Sequence, residues 1–153
     1  MESLIEIPRF VDDASIASKW HLRDEAYIDG AEDILQSYLS GQISLIAPDV
    51  MRYEVSSAIR KCVRTRHLTN EQARIAIAHF LSLRIPNIGD DDIIVMAFEF
   101  TVRFNCSMYD GVYLALAEAI GCPLIDADDR LCGAINGRFR NELWIEDRRF
   151  LST

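Results

Sequence analysis

Short apolar runs alternate with amphipathic stretches along almost the whole chain. Four apolar runs have the length of a strand, and most of them end in acidic or turn residues: 5–11, 43–46, 122–125 and 143–145. A short extended piece is also predicted at 83–86. The stretches that predict helices, several with apolar positions every three or four residues, are 31–39, 48–66, 73–81, 93–104, 111–120 and 130–135. Because alternating strands and helices pair through crossovers, the pattern predicts an α/β fold with a mostly parallel central sheet and helices on both faces.

Residues that cap helices mark several of the predicted boundaries. Thr69 stands three residues before Gln72, and Ser107 stands three residues before Asp110, which is the spacing of a capping box. Gly121 stands where a glycine commonly ends a helix. These signals predict two helix starts and one helix end.

Three consecutive aspartates, Asp90-Asp91-Asp92, precede the predicted helix at 93–104. They resemble a metal site, but carboxylates in a first helical turn are stabilised by the helix dipole. Capping is therefore the favoured interpretation, and a functional role is the alternative.

Composition favours one soluble, cytoplasmic domain that spans residues 1–153. Hydrophobic residues make up 50% of the chain and charged residues 26%, which is ordinary for a globular protein. No apolar run approaches the roughly 18 residues that span a bilayer, and residues 1–8 carry acidic side chains where a signal peptide would be basic. The four cysteines show no C-x-x-C spacing, so we expect neither disulfides nor a zinc site.

The formal net charge of −8 would ordinarily argue against nucleic acid, because phosphate binding depends on Lys and Arg. Basic side chains are nevertheless concentrated at Arg60, Lys61 and Arg64, near the end of one predicted helix. They are candidate RNA contacts. The alternative is a favourable interaction with the helix C-terminus together with solvation.

Four acidic residues stand at or near the end of a predicted strand or the start of a predicted helix: Asp13, Glu54, Asp110 and Asp128. Ligands of parallel sheets bind at the carboxyl ends of the strands, so these side chains are expected to meet there, with Glu54 pointing inward from its helix. Carboxylate oxygens favour Mg²⁺ or Mn²⁺ over zinc. The constellation indicates a metal-dependent phosphodiester hydrolase, although for any single acid capping or solvation is the simpler interpretation.

Four segments of the chain resemble, in order, the motifs of PIN-domain ribonucleases, especially the VapC-type toxins. The segments are FVDDASIASKW at 10–20, APDVMRYEV at 47–55, YDGVYLALA at 109–117 and PLIDADDRL at 123–131. Each segment alone is a weak signal, but four in the right order over nearly the whole chain make a strong composite. The resemblance implies a single PIN-like domain that hydrolyses RNA, as the toxin of a type II toxin–antitoxin pair.

Carried over position by position, the resemblance makes Asp13, Glu54, Asp110 and Asp128 the catalytic, metal-binding acids. Ser15 corresponds to the hydroxyl residue that supports the first acid, and we also count it among the substrate-binding candidates. The resemblance further implies Mg²⁺ or Mn²⁺ as cofactor, RNA as substrate, a cognate antitoxin as partner, a homodimer, and products with a 5′-phosphate and a 3′-hydroxyl.

Two positions depart from the family's pattern. Asp126 stands where the family often has a threonine or serine, and period-two geometry would aim it to the same side as Asp128 if the strand continued that far. It is therefore a candidate additional ligand. Asp12 adds an acid directly before Asp13, but neighbouring strand residues face opposite ways, so Asp12 is expected to point away from the site.

Two other functions compete with the nuclease. A non-catalytic module could keep the PIN fold and only bind a partner, although intact acids argue against it. A phosphoacceptor receiver domain also places paired acids after its first strand, but it would need an aspartate after the third strand and a lysine after the fifth. This chain offers Glu54 within a predicted helix and no convincing late lysine.

Overall fold

A computed structural model describes residues 6–22 and 26–147 of the chain. Its strands are β1 (Arg9–Asp12), β2 (Ser44–Pro48), β3 (Asn87–Ile88), β4 (Leu124–Asp126) and β5 (Glu142–Trp144). Its helices are α1 (Ala14–Lys19), α2 (Ile28–Leu39), α3 (Met51–Arg64), α4 (Asn70–Ser82), α5 (Asp91–Phe104), α6 (Met108–Ile120) and α7 (Asp129–Ile135). Within these residues no helix is long and apolar enough to cross a membrane.

The five strands form one sheet in the order β3-β2-β1-β4-β5, and every neighbouring pair is parallel. The first strand is central, since Val11 pairs with Ile46 of β2 on one side and with Leu124 of β4 on the other. The predicted α/β fold with a parallel sheet is confirmed. All five strands therefore end at the same edge, where ligands of such sheets bind.

The core lies where the strands meet α6. Val11, Leu124 and Ile125 have no solvent exposure, because parallel strands are covered on both faces. The middle of α6, Leu114 to Ala117, is buried almost completely. A helix that is apolar on most of its surface belongs in the interior, which explains why the sequence YLALA shows no polar face.

Element boundaries agree with the sequence prediction to within a few residues, apart from α1 and β3, for which no range was predicted. The strand predicted at 5–11 is observed from Arg9 to Asp12, and Ile5 lies outside the described residues. The third strand, Asn87–Ile88, was not predicted, because two residues carry no periodicity. It begins just after the extended piece predicted at 83–86. The predicted capping boxes at Thr69 and Ser107 and the helix end at Gly121 are confirmed.

Helix α6 approaches α5 closely because residue 111 is a glycine. A Cβ at Gly111 would lie 2.6 Å from the carbonyl oxygen of Ala97 and 3.1 Å from the methyl carbon of Thr101. The first distance is shorter than any ordinary contact and involves backbone, which cannot rotate away. The spacing of the two helices therefore depends on the missing side chain.

We expect Gly111→Ala to lower the free energy of unfolding by about 2 kcal/mol, as overpacking typically does. The matched control is Gly133→Ala in α7, where an added Cβ meets nothing within 4 Å. There alanine is expected to stabilise the helix by about 0.5–1 kcal/mol. Urea unfolding of both variants measures the difference. Equal midpoints for the two variants would show that the helices separate at little cost.

Candidate acidic active site

Three of the four predicted acids lie together at the carboxyl edge of the sheet. Asp13 directly follows β1, Glu54 lies in the first turn of α3 after β2, and Asp110 lies in the first turn of α6. Glu54 and Asp110 are near enough for their charges to raise the pKa of Asp13. Segments far apart in the chain thus bring three carboxylates near one another, and this cluster of Asp13, Glu54 and Asp110 is the acidic pocket.

Asp13 is held by the start of the helix that it caps. Its Oδ2 accepts a hydrogen bond from the backbone N–H of Ser15 at 3.0 Å, as expected of an N-cap aspartate. Burial raises the pKa of Asp13 to about 7, hydrogen bonds from Ser15 oppose this, and repulsion by Glu54 and Asp110 adds to it. The carboxyl is therefore close to half-protonated at neutral pH, and an approaching cation would displace that proton.

Glu54 is oriented by a tyrosine that is distant in sequence. The hydroxyl of Tyr113 donates to Oε1 of Glu54 at 2.8 Å. Burial raises the pKa of Glu54, and this hydrogen bond partly offsets the rise. Tyr113 itself is almost completely buried, so it holds the carboxylate in one position. Tyr113 was not predicted as a site residue, although it lies three residues after Asp110 and so on the same face of α6.

Asp110 takes part in two structural interactions. Its Oδ2 accepts from the backbone N–H of Ser107 at 3.3 Å, while the Ser107 hydroxyl accepts from the Asp110 N–H, completing the capping box. The same Oδ2 accepts from Nη2 of Arg130 at 2.9 Å. The carboxyl group is thus fixed by its own helix and by a side chain from α7.

Asp128 lies after β4 and is the N-cap of α7. Its Oδ1 accepts from the backbone N–H groups of Arg130 and Leu131, at 2.9 Å and 3.3 Å. Its Oδ2 accepts from Nη2 of Arg130 at 3.2 Å, so one guanidinium nitrogen joins Asp128 to Asp110. Arg130 was also not predicted as a site residue, because a position two residues after an acid is only weak evidence for such a role.

Ser15 and Asp126 connect the first and fourth acidic segments. The hydroxyl of Ser15 accepts from the backbone N–H of Ala127 at 3.1 Å, while the same side chain hydrogen-bonds to Asp13. Asp126 is the last residue of β4 and has no solvent exposure, and its Oδ1 accepts from the N–H of Asp128 at 2.6 Å. The strand ends there, so Asp126 lies beneath the loop that carries Asp128 and supports it.

Burial raises the pKa of Asp126 to about 9, and repulsion by Asp13 contributes. The protonated carboxyl can donate to the nearby Glu142 of β5, which pairs with Leu124 in the sheet. Asp12 is also fully buried, and within the described residues neither of its carboxylate oxygens has a hydrogen-bond partner. Burial, followed by repulsion from Asp13, raises the pKa of Asp12 well above its usual value. A second layer of acid thus lies behind the pocket.

The basic candidates lie elsewhere. Arg60, Lys61 and Arg64 are exposed in the C-terminal half of α3, whereas Glu54 lies in the first turn of that helix. At 1.5 Å per residue, Arg64 is about 15 Å further along the helix axis than Glu54. The structure does not bring these three residues to the acids.

The aspartate run at the start of α5 caps that helix. Asp90 is the N-cap, and its side chain accepts from the backbone N–H of Asp92 at 2.9 Å. Asp91 and Asp92 occupy the first turn, where the dipole favours negative charge. The capping interpretation of this run is confirmed.

The family model for the PIN domain matches residues 11–134, which include all four acids. The chain belongs to the PIN-domain family. Ribonuclease VapC1 of Mycobacterium tuberculosis is 34% identical to this PIN domain over 101 residues, which cover 66% of this chain and 74% of the relative. Ribonuclease VapC12 of the same organism is 33% identical over 85 residues, covering 56% and 64%.

Two solved structures share the fold of this PIN domain. PAE2754 from Pyrobaculum aerophilum superimposes with a TM-score of 0.68 at 17% identity, covering 95% of both chains. VapC20 of Mycobacterium tuberculosis, described as a toxin that cleaves the sarcin-ricin loop, gives a TM-score of 0.60 at 18% identity, covering 82% of this chain and 94% of its own. The architecture is that of a PIN domain, which removes the receiver-domain alternative.

The side chains of the acidic pocket offer the oxygen donors that a hard divalent cation prefers. The donors are carboxylate oxygens, and burial, with a smaller contribution from repulsion by Glu54 and Asp110, raises the pKa of Asp13. In their present positions, however, the acidic, histidine and cysteine side chains of residues 6–22 and 26–147 form no group of three that could hold a metal ion. Arg130 lies between two of the acids. Binding an ion would therefore require small side-chain movements rather than a new fold.

We expect Tyr113→Phe to lower kcat for RNA cleavage about tenfold, because it leaves Glu54 without its donor. The lost hydrogen bond should also lower the free energy of unfolding by about 1 kcal/mol. The matched control is Tyr53→Phe, whose side chain is exposed on α3. Steady-state cleavage and thermal melts of both variants provide the measurement. An unchanged kcat in Tyr113→Phe would show that Glu54 needs no orientation.

Proposed function

We propose that this PIN domain is a Mg²⁺- or Mn²⁺-dependent endoribonuclease that acts in the cytoplasm as the toxin of a type II toxin–antitoxin pair. The observation that carries the proposal is the convergence of Asp13, Glu54 and Asp110 on one pocket, with the pKa of Asp13 raised to about 7. The similarity to ribonuclease VapC1 over two thirds of the chain supports the same activity and the same biological role. RNA is the substrate and a small cognate antitoxin is the partner.

Asp13 and Asp110 are proposed as direct metal ligands, and Glu54 and Asp128 as ligands or as groups that orient water. When bound, the cation would supply an activated water and offset the charge that develops on the phosphate and the leaving oxygen. The protein's own contribution is positional. The helix start at Asp13, the capping box at Asp110 and the hydroxyl of Tyr113 each fix one carboxylate before substrate arrives.

Proton balance at the pocket follows from the burial of the acids. Since the pKa of Asp13 is about 7, the carboxyl must release a proton for a cation to bind. Metal affinity is therefore expected to rise with pH through the neutral range. Hydrolysis that leaves a 5′-phosphate and a 3′-hydroxyl requires attack by water on phosphorus, in line with the departing 3′ oxygen.

The test is cleavage of a total-RNA pool by purified protein in Mg²⁺, in Mn²⁺ and in EDTA. Metal-dependent cuts, mapped by their 5′-phosphate ends, are the expected result and would name the target. No cleavage in either metal by folded, partner-free protein would overturn the nuclease proposal. Direct binding of Mn²⁺ by such an inactive protein would then favour the non-catalytic PIN-fold module.

The toxin role has a separate test. Expression of the wild-type protein alone is expected to slow growth, and co-expression of the antitoxin to relieve it. A purified nuclease that cuts RNA but leaves growth unchanged would contradict the toxin role while leaving the enzymatic activity standing.

We also propose that the protein forms a homodimer. Helix α5 exposes Ile94, Val95, Phe98 and Val102, each by more than half of its surface, at positions that lie along one side of the helix. Contiguous exposed apolar side chains are typical of an interface. Light scattering after size exclusion is expected to give twice the chain mass, and the mass of a single chain at micromolar concentration would overturn this.

A further inference from the structure

Arg130 places the positive charge of its guanidinium beside two of the predicted acids, Asp110 and Asp128. Its Nη2 lies 2.9 Å from Oδ2 of Asp110 and 3.2 Å from Oδ2 of Asp128. Within the described part of the chain, no other cationic side chain forms an ion pair with any of the four predicted acids. Any polyanion that approaches these carboxylates therefore meets Arg130 as the local positive charge.

The guanidinium retains unused donors. Both carboxylate contacts are made by Nη2, and among the described residues Nη1 and Nε of Arg130 have no acceptor. The side chain is 62% exposed, compared with 12% for Asp110. Arg130 thus has one edge turned towards the acids and its remaining N–H groups available to solvent. A guanidinium with unused N–H groups can donate to a phosphate oxygen through Nη1 or through Nε.

The ion pairs alone do not account for this arrangement. Ion pairs at the surface contribute only about 0–1 kcal/mol, and Arg130 is 62% exposed, so stabilising Asp110 and Asp128 does not by itself explain the position of this arginine. A pocket built from several carboxylates, by contrast, repels a phosphodiester strongly unless a cation offsets the charge. A positive side chain beside these carboxylates reduces their repulsion of an RNA phosphate.

We propose that Arg130 contacts a phosphate of the RNA substrate and places it over the acidic pocket. This inference rests on the proposed nuclease function and adds to it a residue that binds substrate. The guanidinium keeps its contact with Asp110 or Asp128 through Nη2 and donates to phosphate oxygens through Nη1 or Nε. Arg130 therefore links the position of the phosphate to the position of two acids.

The test measures RNA binding without cleavage, in an Asp13→Asn background. The probe is a fluorescent single-stranded RNA of mixed sequence, about 20 nucleotides long, titrated at several salt concentrations. Adding Arg130→Gln is expected to weaken binding about five- to tenfold. The slope of log affinity against log salt is expected to become shallower by about 0.7, the value for one lost contact to single-stranded phosphate.

The matched control is Arg74→Gln on α4. Arg74 is 72% exposed and is paired with Glu71 at 3.5 Å, so it has the same charge and a similar exposure away from the pocket. It should leave affinity and salt slope unchanged. Arg130→Lys, which keeps the charge but not the planar fork, should retain the salt slope and lose part of the affinity.

A purely structural role for Arg130 predicts different changes in Mn²⁺ affinity and in the salt dependence of RNA binding. If Arg130 only braces the acids, Arg130→Gln will change Mn²⁺ affinity measured without RNA and leave the salt slope as it was, and the inference is wrong. That result is distinct from failure of the nuclease itself, because wild-type protein would still cleave RNA. Failure of the Asp13→Asn parent to bind any RNA would overturn the inference and the proposed function together. Melting curves confirm that each variant is folded.

Discussion

Replacing Asp13 with asparagine is expected to lower RNA cleavage by at least about 10³-fold while the protein stays folded. Asparagine has the same shape and can still accept a hydrogen bond from the N–H of Ser15, so the cap of α1 is retained. What the variant loses is the negative charge that a divalent cation needs. Loss of activity without loss of fold would therefore identify a charge requirement at this carboxylate.

The matched control for this prediction is Asp29→Asn, the same change at an exposed first-turn acid of α2. It should cleave RNA at the wild-type rate. The measurement is the initial cleavage rate in Mn²⁺, accompanied by a thermal melt and by direct Mn²⁺ titration. An Asp13→Asn variant that retains more than about a tenth of the activity would remove Asp13 from the catalytic set.

The metal-free protein is expected to become less stable as pH rises from 6.5 to 8.5. An unfolded aspartate has a pKa near 3.9, whereas the folded pKa is about 7 for Asp13, about 9 for Asp126 and well raised for Asp12. At these pH values the folded state holds protons that the unfolded state has released. Stability must then fall as pH rises, the reverse of the usual behaviour of salt-bridged carboxylates.

A different group acts at lower pH. Burial, followed by repulsion from His79, lowers the pKa of His21 to about 4, so this ring contributes stability that increases as pH rises towards its unfolded value near 6.5. The two effects oppose each other below pH 6.5. Above pH 6.5 the effect of His21 fades as the unfolded histidine loses its remaining proton, whereas the buried carboxyls continue to titrate, so the change between pH 6.5 and 8.5 reports mainly on the carboxyls.

In EDTA we expect the melting temperature to fall by about 5–10 °C between these two pH values. Added Mg²⁺ or Mn²⁺ should recover part of the loss at pH 8.5, because a cation offsets the crowded charge and binds only the folded state. Asp126→Asn should reduce the dependence on pH. A melting temperature that is equal or higher at pH 8.5 would mean that the buried carboxyls are already ionised at pH 6.5.

The sequence could predict features that are local in the chain. A strand that ends in acid and leads into a helix predicts the position of Asp13, and capping-box spacing predicts the start of α6 at Asp110. The parallel sheet follows from the alternation of elements. These features depend on neighbouring residues, which a single sequence displays directly.

Features that depend on distant residues were missed. Tyr113 meets Glu54 across 59 positions, and Arg130 meets Asp110 across 20. Neither pair has a periodicity that would predict the contact. The prediction that Asp126 points to the same side as Asp128, as an additional ligand, depended on β4 continuing, but the strand ends at Asp126 and the chain turns into α7. Only the tertiary fold determines where those side chains lie.

The two acids that are also helix caps make the pocket dependent on very short helices. Asp13 and Asp128 each give one carboxylate oxygen to the first turn of a helix, and those helices, α1 and α7, are only six and seven residues long. Helices of this length gain little stability of their own and persist because they are packed. Fraying at either start would release the carboxylate while the sheet remained intact. The positions of these two carboxylates therefore depend on how firmly α1 and α7 are packed against the rest of the domain.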